Sequence, residues 1–383
     1  MVVHYLDHNA TTPIEPRVLA AMMPALEDVG NSSSAHGFGR RAREAVEKAR
    51  EQIARLLAAA PPEVVFTASG TEANNAVLAT VAELHDGGHV IVSAFEHPSI
   101  LAAVERLAAS GFEVSRVRPE ADGRVAPERV AAELREDTRL VCLMLANNEI
   151  GSIQPVAEVT RLAHERGALV LCDAVQAMGK IAVSAVDLGV DYLTIGAHKF
   201  YGPLGAAALW IRRGSPLTPL LVGGAHERHR RAGTLNVPAI VGFGAAAELV
   251  VAELDDWIAH QARLRDAFEA GLAAVGDCVV HGAAGERLPN TSNVAFLGID
   301  AEALMVRLDL RGFAVSTGSA CASGVVEMSE TMRALGVSEE EGVASLRISF
   351  GKGTAPEVVG DLLHALAREV AELRRLKAEA SGQ

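Results

Sequence analysis

The sequence is poor in cysteine and has neither a basic cluster nor a long uninterrupted apolar run. Its 383 residues include four cysteines, none of them in a CxxC pair, so we expect neither a disulfide framework nor a zinc site, and no metal site of another kind. Lysine and arginine number 35 against 48 aspartates and glutamates, a formal net charge of −13. This acidic balance argues against direct binding to nucleic acid or to an anionic membrane.

No targeting or membrane signal is recognised in the sequence. Residues 1–7 (MVVHYLD) lack a basic segment followed by an apolar stretch, and the apolar runs elsewhere are judged too short to span a bilayer. We therefore expect a cytoplasmic protein with reduced thiols. Because 49% of the residues are hydrophobic, the chain can bury a large core, and disorder of the whole chain is excluded.

Short β-branched runs alternate with alanine-rich amphipathic stretches over most of the chain. Strands are predicted at 63–66, 89–93, 140–145, 168–172, 191–195 and 206–211, and helices at 35–60, 71–84 and 100–110. This alternation predicts a doubly wound, mostly parallel sheet with helices on both faces.

A long helical stretch at 239–275 has no internal proline and is expected to lead into a smaller C-terminal α+β domain. We predict three parts of the chain. Residues 1–15 form an N-terminal segment that packs with the small domain, residues 16–256 form the large domain, and residues 257–383 form the small domain.

Lys199 and Asp173 are the residues that first indicate a chemistry. Lys199 stands in the segment 197–203 (AHKFYGP), between the predicted strand 191–195 and a Gly-Pro turn, so its amine is expected to meet a ligand. Asp173 ends the apolar run 168–172, where a carboxylate faces the cleft outside a parallel sheet and keeps a pyridinium nitrogen protonated. A lone lysine is more often a solvated surface charge. The pair together indicates pyridoxal 5'-phosphate (PLP).

A phosphate-binding turn is predicted in residues 66–75 (FTASGTEANN), which read as a strand end, a turn of small residues and a helix start. Exposed amides there and the Thr71 hydroxyl suit a phosphate, and the helix dipole favours the negative charge. The alternative is an ordinary helix start with Thr71 as the N-cap and no ligand. The Lys199–Asp173 pair favours the phosphate site.

His97 follows the predicted strand 89–93 and is expected at the carboxyl end of that strand. An imidazole there can stack on a cofactor ring and exchange protons near neutral pH, although an isolated histidine is more often a loop residue with a satisfied hydrogen bond. The run 147–151 (NNEIG) offers amide donors in the same region, with a simple turn as its alternative.

Cys321 differs from the other cysteines because it lies in a run of small residues, 316–324 (STGSACASG). Such a loop is expected to be mobile and its thiol exposed, which is the setting of a nucleophile. Cys142 and Cys172 lie in apolar strand runs and, with Cys278, are interpreted as structural.

Arg347 lies within an apolar strand of the predicted small domain (LRISFG). A buried arginine needs an anion, either a substrate carboxylate bound by both arms of the guanidinium or a structural salt bridge. The sequence leaves both possibilities open.

These motifs, in this order, resemble the cysteine desulfurases of the NifS/IscS type, which are fold-type I PLP enzymes of the class V aminotransferase group. The resemblance begins at residues 5–13 (YLDHNATTP), continues through 31–40 and covers nearly the whole length. It implies an α/β fold-type I PLP-dependent transferase, with a large doubly wound domain and a smaller C-terminal α+β domain.

The resemblance also implies a role for each site residue. Lys199 would bind PLP covalently, and Asp173 would bind the pyridine nitrogen. The other roles are His97 as the stacking acid/base candidate, Gln176 on the ring oxygen, Gly70, Thr71 and His198 on the phosphate, Asn148 on cofactor or substrate, and Arg347 on the substrate carboxylate. In the family, the turn corresponding to residues 231–234 (RAGT) reaches the partner subunit's phosphate, so Thr234 is a cofactor contact across a homodimer.

The activity implied by the resemblance is conversion of L-cysteine to L-alanine. The sulfur would remain on Cys321 as a persulfide for a sulfur-acceptor protein, in iron-sulfur cluster assembly or in thiolation of tRNA, DNA or a cofactor. The alternatives are a selenocysteine lyase or an aminotransferase on the same fold, or a catalytically silent scaffold that binds a sulfur-accepting protein. One departure concerns the cofactor: Gly196 replaces the serine of the usual Ser-x-His-Lys, so one phosphate hydroxyl is missing.

Overall fold

The computed structural model describes residues 3–317 and 328–381 of the chain. In order, the strands of this part are β1 (His4–Tyr5), β2 (Val64–Thr67), β3 (Gly88–Ser93), β4 (Phe112–Val117), β5 (Thr138–Cys142), β6 (Leu169–Asp173), β7 (Tyr192–Gly196), β8 (Ala207–Ile211), β9 (Cys278–Val280), β10 (Thr291–Phe296), β11 (Phe313–Ala314) and β12 (Ser345–Ser349). The helices are α1 (Pro16–Glu27), α2 (Gly37–Leu56), α3 (Gly70–Leu84), α4 (Pro98–Ala109), α5 (Pro127–Glu133), α6 (Val156–His164), α7 (Ala185–Leu188), α8 (Val237–Gly271), α9 (Ala301–Asp309), α10 (Glu330–Leu335), α11 (Glu339–Val343) and α12 (Glu357–Ser381).

Seven strands form the large sheet in the order β2-β8-β7-β6-β5-β3-β4. The neighbouring pairs are parallel except for those made by β8, which runs antiparallel to both β2 and β7. The prediction of a mostly parallel α/β sheet is confirmed. Parallel strands buried on both faces need continuous apolar runs, and β6, β7 and β8 have them.

The structure corrects several limits of the predicted elements. The strand expected at 140–145 ends at Cys142, and the helix expected at 35–60 ends at Leu56. The strand β4 was missed because it carries Glu113 and Arg116 on a partly exposed sheet edge, so its sequence lacks an apolar run. The strands that were predicted are all present, in the predicted order.

Helix α8 joins two hydrophobic cores. Its first half contributes Phe243 to the core of the large sheet, and its second half contributes Phe268 to a second core. The second core lies against the antiparallel sheet β12-β10-β9 and includes Leu6 from the N-terminal segment, whose β1 pairs with β11. The domain limits proposed from the sequence, at residues 15 and 256, stay predictions.

The stretch Val237–Ala274, which begins with α8, is also long and apolar enough to cross a membrane by length and composition. The expectation from the sequence concerned uninterrupted apolar runs, and Glu248 and Glu253 interrupt this stretch. In the structure the helix packs along α1 and α2, with Ala239, Phe243 and Ala247 buried in the core. Its apolar composition is accounted for by this packing.

Candidate active site

A cavity of about 420 Å³ opens at the carboxyl edge of the large sheet. Nine of the residues predicted to form a site line it: Gly70, Thr71, His97, Asn148, Asp173, Gln176, His198, Lys199 and Arg347. They come from six separate regions of the chain. Ligands bind in α/β proteins at this edge because the loops that follow parallel strands converge there.

Two predicted residues are not among those that line the cavity. Thr234 is exposed on the turn before α8 and does not line the cavity of its own chain. Cys321 lies outside the residues that the structure describes. The roles given to both residues remain predictions.

Lys199 ends the short 3₁₀ turn that follows β7. Its Nζ donates hydrogen bonds to the main-chain oxygens of Asn9 at 2.7 Å and Ala10 at 2.8 Å. Burial, assisted by the positive charge of Arg347 and opposed by Asp173, lowers the pKa of Lys199 to about 8. The amine is therefore partly uncharged near neutral pH, as a nucleophile toward an aldehyde must be.

Asp173 ends β6 at the floor of the cavity and is 6% exposed. Its Oδ1 accepts from the Val175 amide at 2.9 Å, and its Oδ2 accepts from Asn74 Nδ2 at 2.8 Å. Among residues 3–317 and 328–381, no lysine, arginine or histidine nitrogen lies within 4.0 Å of this carboxylate. A buried carboxylate without a cation suits a protonated ring nitrogen of a ligand.

The predicted phosphate turn leads directly into α3. Ser69 is the N-cap, since its hydroxyl accepts from the Glu72 amide at 3.1 Å. The suggested alternative, in which Thr71 caps the helix, is therefore wrong, and the Thr71 hydroxyl is not used for capping. A Cβ on Gly70 would lie 3.0 Å from Val175 Cγ2, so glycine keeps the first turn of a 15-residue helix open to an anion.

Two histidines face the cavity with neutral rings. His97 caps α4, and its Nδ1 accepts from the Ser99 amide at 3.1 Å, which leaves the proton of the neutral ring on Nε2. Desolvation is the largest cause that lowers the pKa of His97, while Asp173 raises it and Lys199 lowers it. Burial lowers the pKa of His198 to about 4, and its Nδ1 lies 3.1 Å from Thr11 Oγ1.

Arg347 in β12 makes a structural salt bridge, one of the two possibilities that the sequence left open, while its contact with a substrate carboxylate stays a prediction. Its Nη2 forms a salt bridge to Asp7 Oδ1 at 2.6 Å, and its Nη1 donates to the Asn148 main-chain oxygen at 3.0 Å. Its Nε is buried and has no hydrogen-bond partner among the described residues. The guanidinium is thus held by the protein on one side and keeps one donor for a further acceptor.

Sequence reasoning missed four residues that organise this cavity: Asn9, Asn74, Glu96 and Lys180. Asn9 donates through Nδ2 to the Asn148 oxygen at 3.1 Å and to Thr291 Oγ1 at 2.9 Å. Glu96 is fully buried, and its Oε1 accepts from the Met144 amide at 2.7 Å. Asn9 and Asn74 stand inside the quoted motifs and Glu96 is next to His97, so proximity in sequence was an available signal. Lys180 gave no local signal.

Comparison with known proteins places these residues in a family setting. The family model for aminotransferase class V matches residues 4–362. The chain is 43% identical to a cysteine desulfurase IscS from an Anaeromyxobacter species, over 97% of this chain and 93% of that protein. A solved NifS-like protein superposes with a TM-score of 0.92 at 38% identity, over 97% of this chain and 100% of the other. An SspA solved in complex with cysteine gives a TM-score of 0.81 at 31% identity, covering 92% and 99%.

Proposed function

Because this chain belongs to the cysteine desulfurases of the class V aminotransferase family, we propose that it converts L-cysteine to L-alanine and carries the sulfur as a persulfide on Cys321. The family depends on PLP, and the assignment of PLP to the cavity described above is part of the proposal. The observation that carries it is the placement of Lys199, Asp173 and Arg347 around one cavity.

Three features of the cavity fit PLP. Lys199 offers an amine with a lowered pKa, Asp173 is a buried carboxylate with no cation within 4.0 Å in the described part of the chain, and Gly70 begins helix α3, whose first-turn amides have no partner within the helix. These match the aldehyde, the ring nitrogen and the phosphate of the cofactor. When bound, PLP supplies an electron sink for the electron pair released at the substrate Cα.

Substrate orientation is assigned to Arg347. Arg347 lines the cavity, and its Nε has no hydrogen-bond partner among the described residues, so its guanidinium is assigned the carboxylate of L-cysteine. Asn148 is held beside it, because its main-chain oxygen accepts from both Arg347 and Asn9. Arg347 and Lys199 line the same cavity, so a substrate whose carboxylate is bound by Arg347 would have its Cα near Lys199.

Proton transfer at Cα is assigned to Lys199. Its amine would act as the base that takes the Cα proton, and its lowered pKa keeps a fraction of it unprotonated at neutral pH. His97 is the second acid/base candidate. Because its Nδ1 accepts from Ser99, the proton that it can donate is on Nε2.

Sulfur transfer is assigned to Cys321. The thiolate attacks the substrate Sγ, a sulfur–sulfur bond forms, and the carbon–sulfur bond breaks with its electron pair remaining on Cβ, which takes up a proton. The sum is L-cysteine plus a thiol giving L-alanine plus a persulfide, so no external reductant is needed. Cys321 lies outside the described residues, and Ser316, five positions before it in the chain, lines the cavity.

The proposal extends to a cytoplasmic homodimer that passes sulfur to an acceptor protein. The exposed position of Thr234 supports a contact with a partner subunit. Selenocysteine lyase and aminotransferase activity are the alternatives within PLP chemistry, and a silent scaffold is the alternative outside catalysis. Release of alanine from cysteine in the absence of a keto acid would argue against an aminotransferase. Visible absorbance of bound PLP would argue against a silent scaffold.

The test is Cys321→Ser, with Cys278→Ser as the matched cysteine control. We expect Cys321→Ser to keep the visible absorbance of bound PLP and to form no alanine from cysteine, while Cys278→Ser keeps full activity. Assaying both variants with selenocysteine distinguishes a selenocysteine lyase from a cysteine desulfurase, because the lyase reaction does not require the Cys321 thiol. Full turnover of cysteine by Cys321→Ser without added reductant would remove Cys321 from the mechanism.

A further inference from the structure

Lys180 is a second buried lysine next to the cavity, and the proposed reaction gives it no role. It is 3% exposed and follows Gly179 in the turn after β6. Gly179 has a φ of 76°, and a Cβ there would lie 2.4 Å from Phe200 Cβ. The turn therefore packs closely against the residue after Lys199, a packing that only glycine at position 179 permits.

The Lys180 amine makes two hydrogen bonds to neutral acceptors. Its Nζ donates to Asn9 Oδ1 at 3.0 Å and to Gln176 Oε1. In the described part of the chain, no carboxylate oxygen lies within 4.0 Å of Nζ. Burying a lysine without an ion pair destabilises the fold unless its amine is fully hydrogen-bonded, so a lysine at this position points to a use.

The hydrogen bond from Lys180 determines which way the Gln176 side-chain amide faces. Gln176 Oε1 faces the donor Lys180, and Gln176 Nε2 donates to the Asn9 main-chain oxygen at 2.6 Å. That carbonyl can only accept, so the reversed amide would lose this bond. The second N–H of Nε2 is then available to the cavity, which Gln176 lines.

Asn9 connects this arrangement to Lys199. The same main-chain oxygen that accepts from Gln176 also accepts from Lys199 Nζ at 2.7 Å, while the Asn9 side chain holds Lys180. Lys180, Lys199 and Gln176 therefore all donate hydrogen bonds to Asn9, which is 1% exposed. A change at Lys180 affects the groups that face the ligand without touching the ligand itself.

We propose that Lys180 is a positioning residue that holds Gln176 as a hydrogen-bond donor to the ring oxygen of the cofactor. This inference rests on the proposed function, since it takes PLP to be the ligand of the cavity. Burial, followed by the charges of Lys199 and Arg347, lowers the pKa of Lys180 well below the ordinary lysine value. A lowered pKa favours the uncharged amine, whose two N–H groups still serve both acceptors.

The test is a double-mutant cycle of Lys180→Met and Gln176→Ala, measured by the visible absorbance of bound PLP against pH. Methionine fills a similar volume without a donor. We expect Lys180→Met to raise the pH midpoint by about half a unit or more, because a ring oxygen that loses its donor binds the neighbouring proton more tightly. In the Gln176→Ala background the same substitution is expected to leave the midpoint nearly unchanged, since the two residues act as a unit.

Two further variants separate positioning from stability. Lys180→Gln keeps an N–H donor and is expected to return the midpoint toward the wild-type value, whatever its thermal unfolding temperature. Lys352→Met removes a lysine that pairs with Glu15 instead and is expected to leave the midpoint unchanged. An equal shift from Lys180→Met in both backgrounds, or no shift in either, would overturn the proposal. Absence of visible absorbance in the wild-type holoenzyme would overturn the proposed function and this inference with it.

Discussion

Arg347 and Asp7 form a salt bridge at the edge of the cavity, with Nη2 and Oδ1 2.6 Å apart. The two residues are 340 positions apart in the sequence, and the pair joins the N-terminal segment to strand β12. The bridge is made by Nη2, while Nε has no hydrogen-bond partner among the described residues. The N-terminal segment is therefore part of the site, because it orients the arginine assigned to the substrate carboxylate.

Arg347→Lys tests that assignment. Lysine keeps the charge near Asp7 but loses the planar fork that serves two acceptors at once. We expect a loss of about 2 kcal/mol of transition-state binding, roughly 30-fold in kcat/KM, mostly through a higher KM. Alanine formation from L-cysteine measures it, with Arg333→Lys, at an exposed i,i+3 pair with Glu330, as the control. An unchanged KM would return Arg347 to a purely structural role.

The lowered pKa of Lys199 predicts how cofactor uptake depends on pH. The amine has a pKa of about 8 in place of the ordinary 10.5, and only its unprotonated form attacks an aldehyde. The rate of PLP incorporation into cofactor-free protein should therefore rise through about pH 8 and level off above it. Stopped-flow absorbance measures this rate. A rise that continues beyond pH 10 would show that burial and Arg347 do not lower this pKa.

Glu96 predicts a pH dependence of stability. Its carboxyl is buried, and burial raises its pKa to about 8 from the ordinary 4.5. The folded state therefore binds one more proton than the unfolded state between about pH 4.5 and 8, so the stability contributed by this group is complete below that window and is lost as the pH rises through it. Glu96→Gln stays neutral at every pH. We expect it to match wild type at pH 5 and to exceed it by roughly 3 kcal/mol at pH 8.5.

Thermal unfolding at the two pH values measures the Glu96 effect. Glu51→Gln, at an exposed position in α2, is the matched control and should show no difference between them. If Glu96→Gln and wild type change in parallel between pH 5 and 8.5, the carboxyl is ionised in the folded protein and the prediction is wrong.

Gly196 offers a gain-of-binding prediction. Its backbone is extended, with φ −130°, and the nearest atom to an added Cβ is Val175 Cγ1 at 3.6 Å, an ordinary contact. Gly70, at the predicted phosphate turn, also faces Val175, so a serine hydroxyl at position 196 would be on the side of the predicted phosphate site. We expect Gly196→Ser to tighten PLP binding by about tenfold, a gain of about 1.4 kcal/mol.

Gly196→Ala is the control for the serine variant, because it adds the Cβ without the hydroxyl. Equilibrium dialysis of PLP against the three proteins gives the comparison. Equal tightening by alanine and serine would assign the gain to backbone stiffening rather than to a phosphate contact.

The sequence by itself determined the alternation of strands and helices that builds the large sheet, except for β4, and the positions of Lys199 and Asp173 after their strands, because apolar runs and strand ends are local patterns. The family could also be identified from the sequence, because its motifs are short contiguous segments. The sequence pattern did not predict strand β4, because a strand at an exposed sheet edge needs few apolar residues. Only the tertiary structure decided that Arg347 pairs with Asp7, that Ser69 caps α3, and that Asn9 holds both Lys180 and Lys199. The contacts of Arg347 and Asn9 join residues far apart in the chain, and they depend on burial and geometry that local residue patterns do not contain. The choice of Ser69 over Thr71 as the cap is local, but it depends on the backbone conformation of the turn, which the residue types alone leave open.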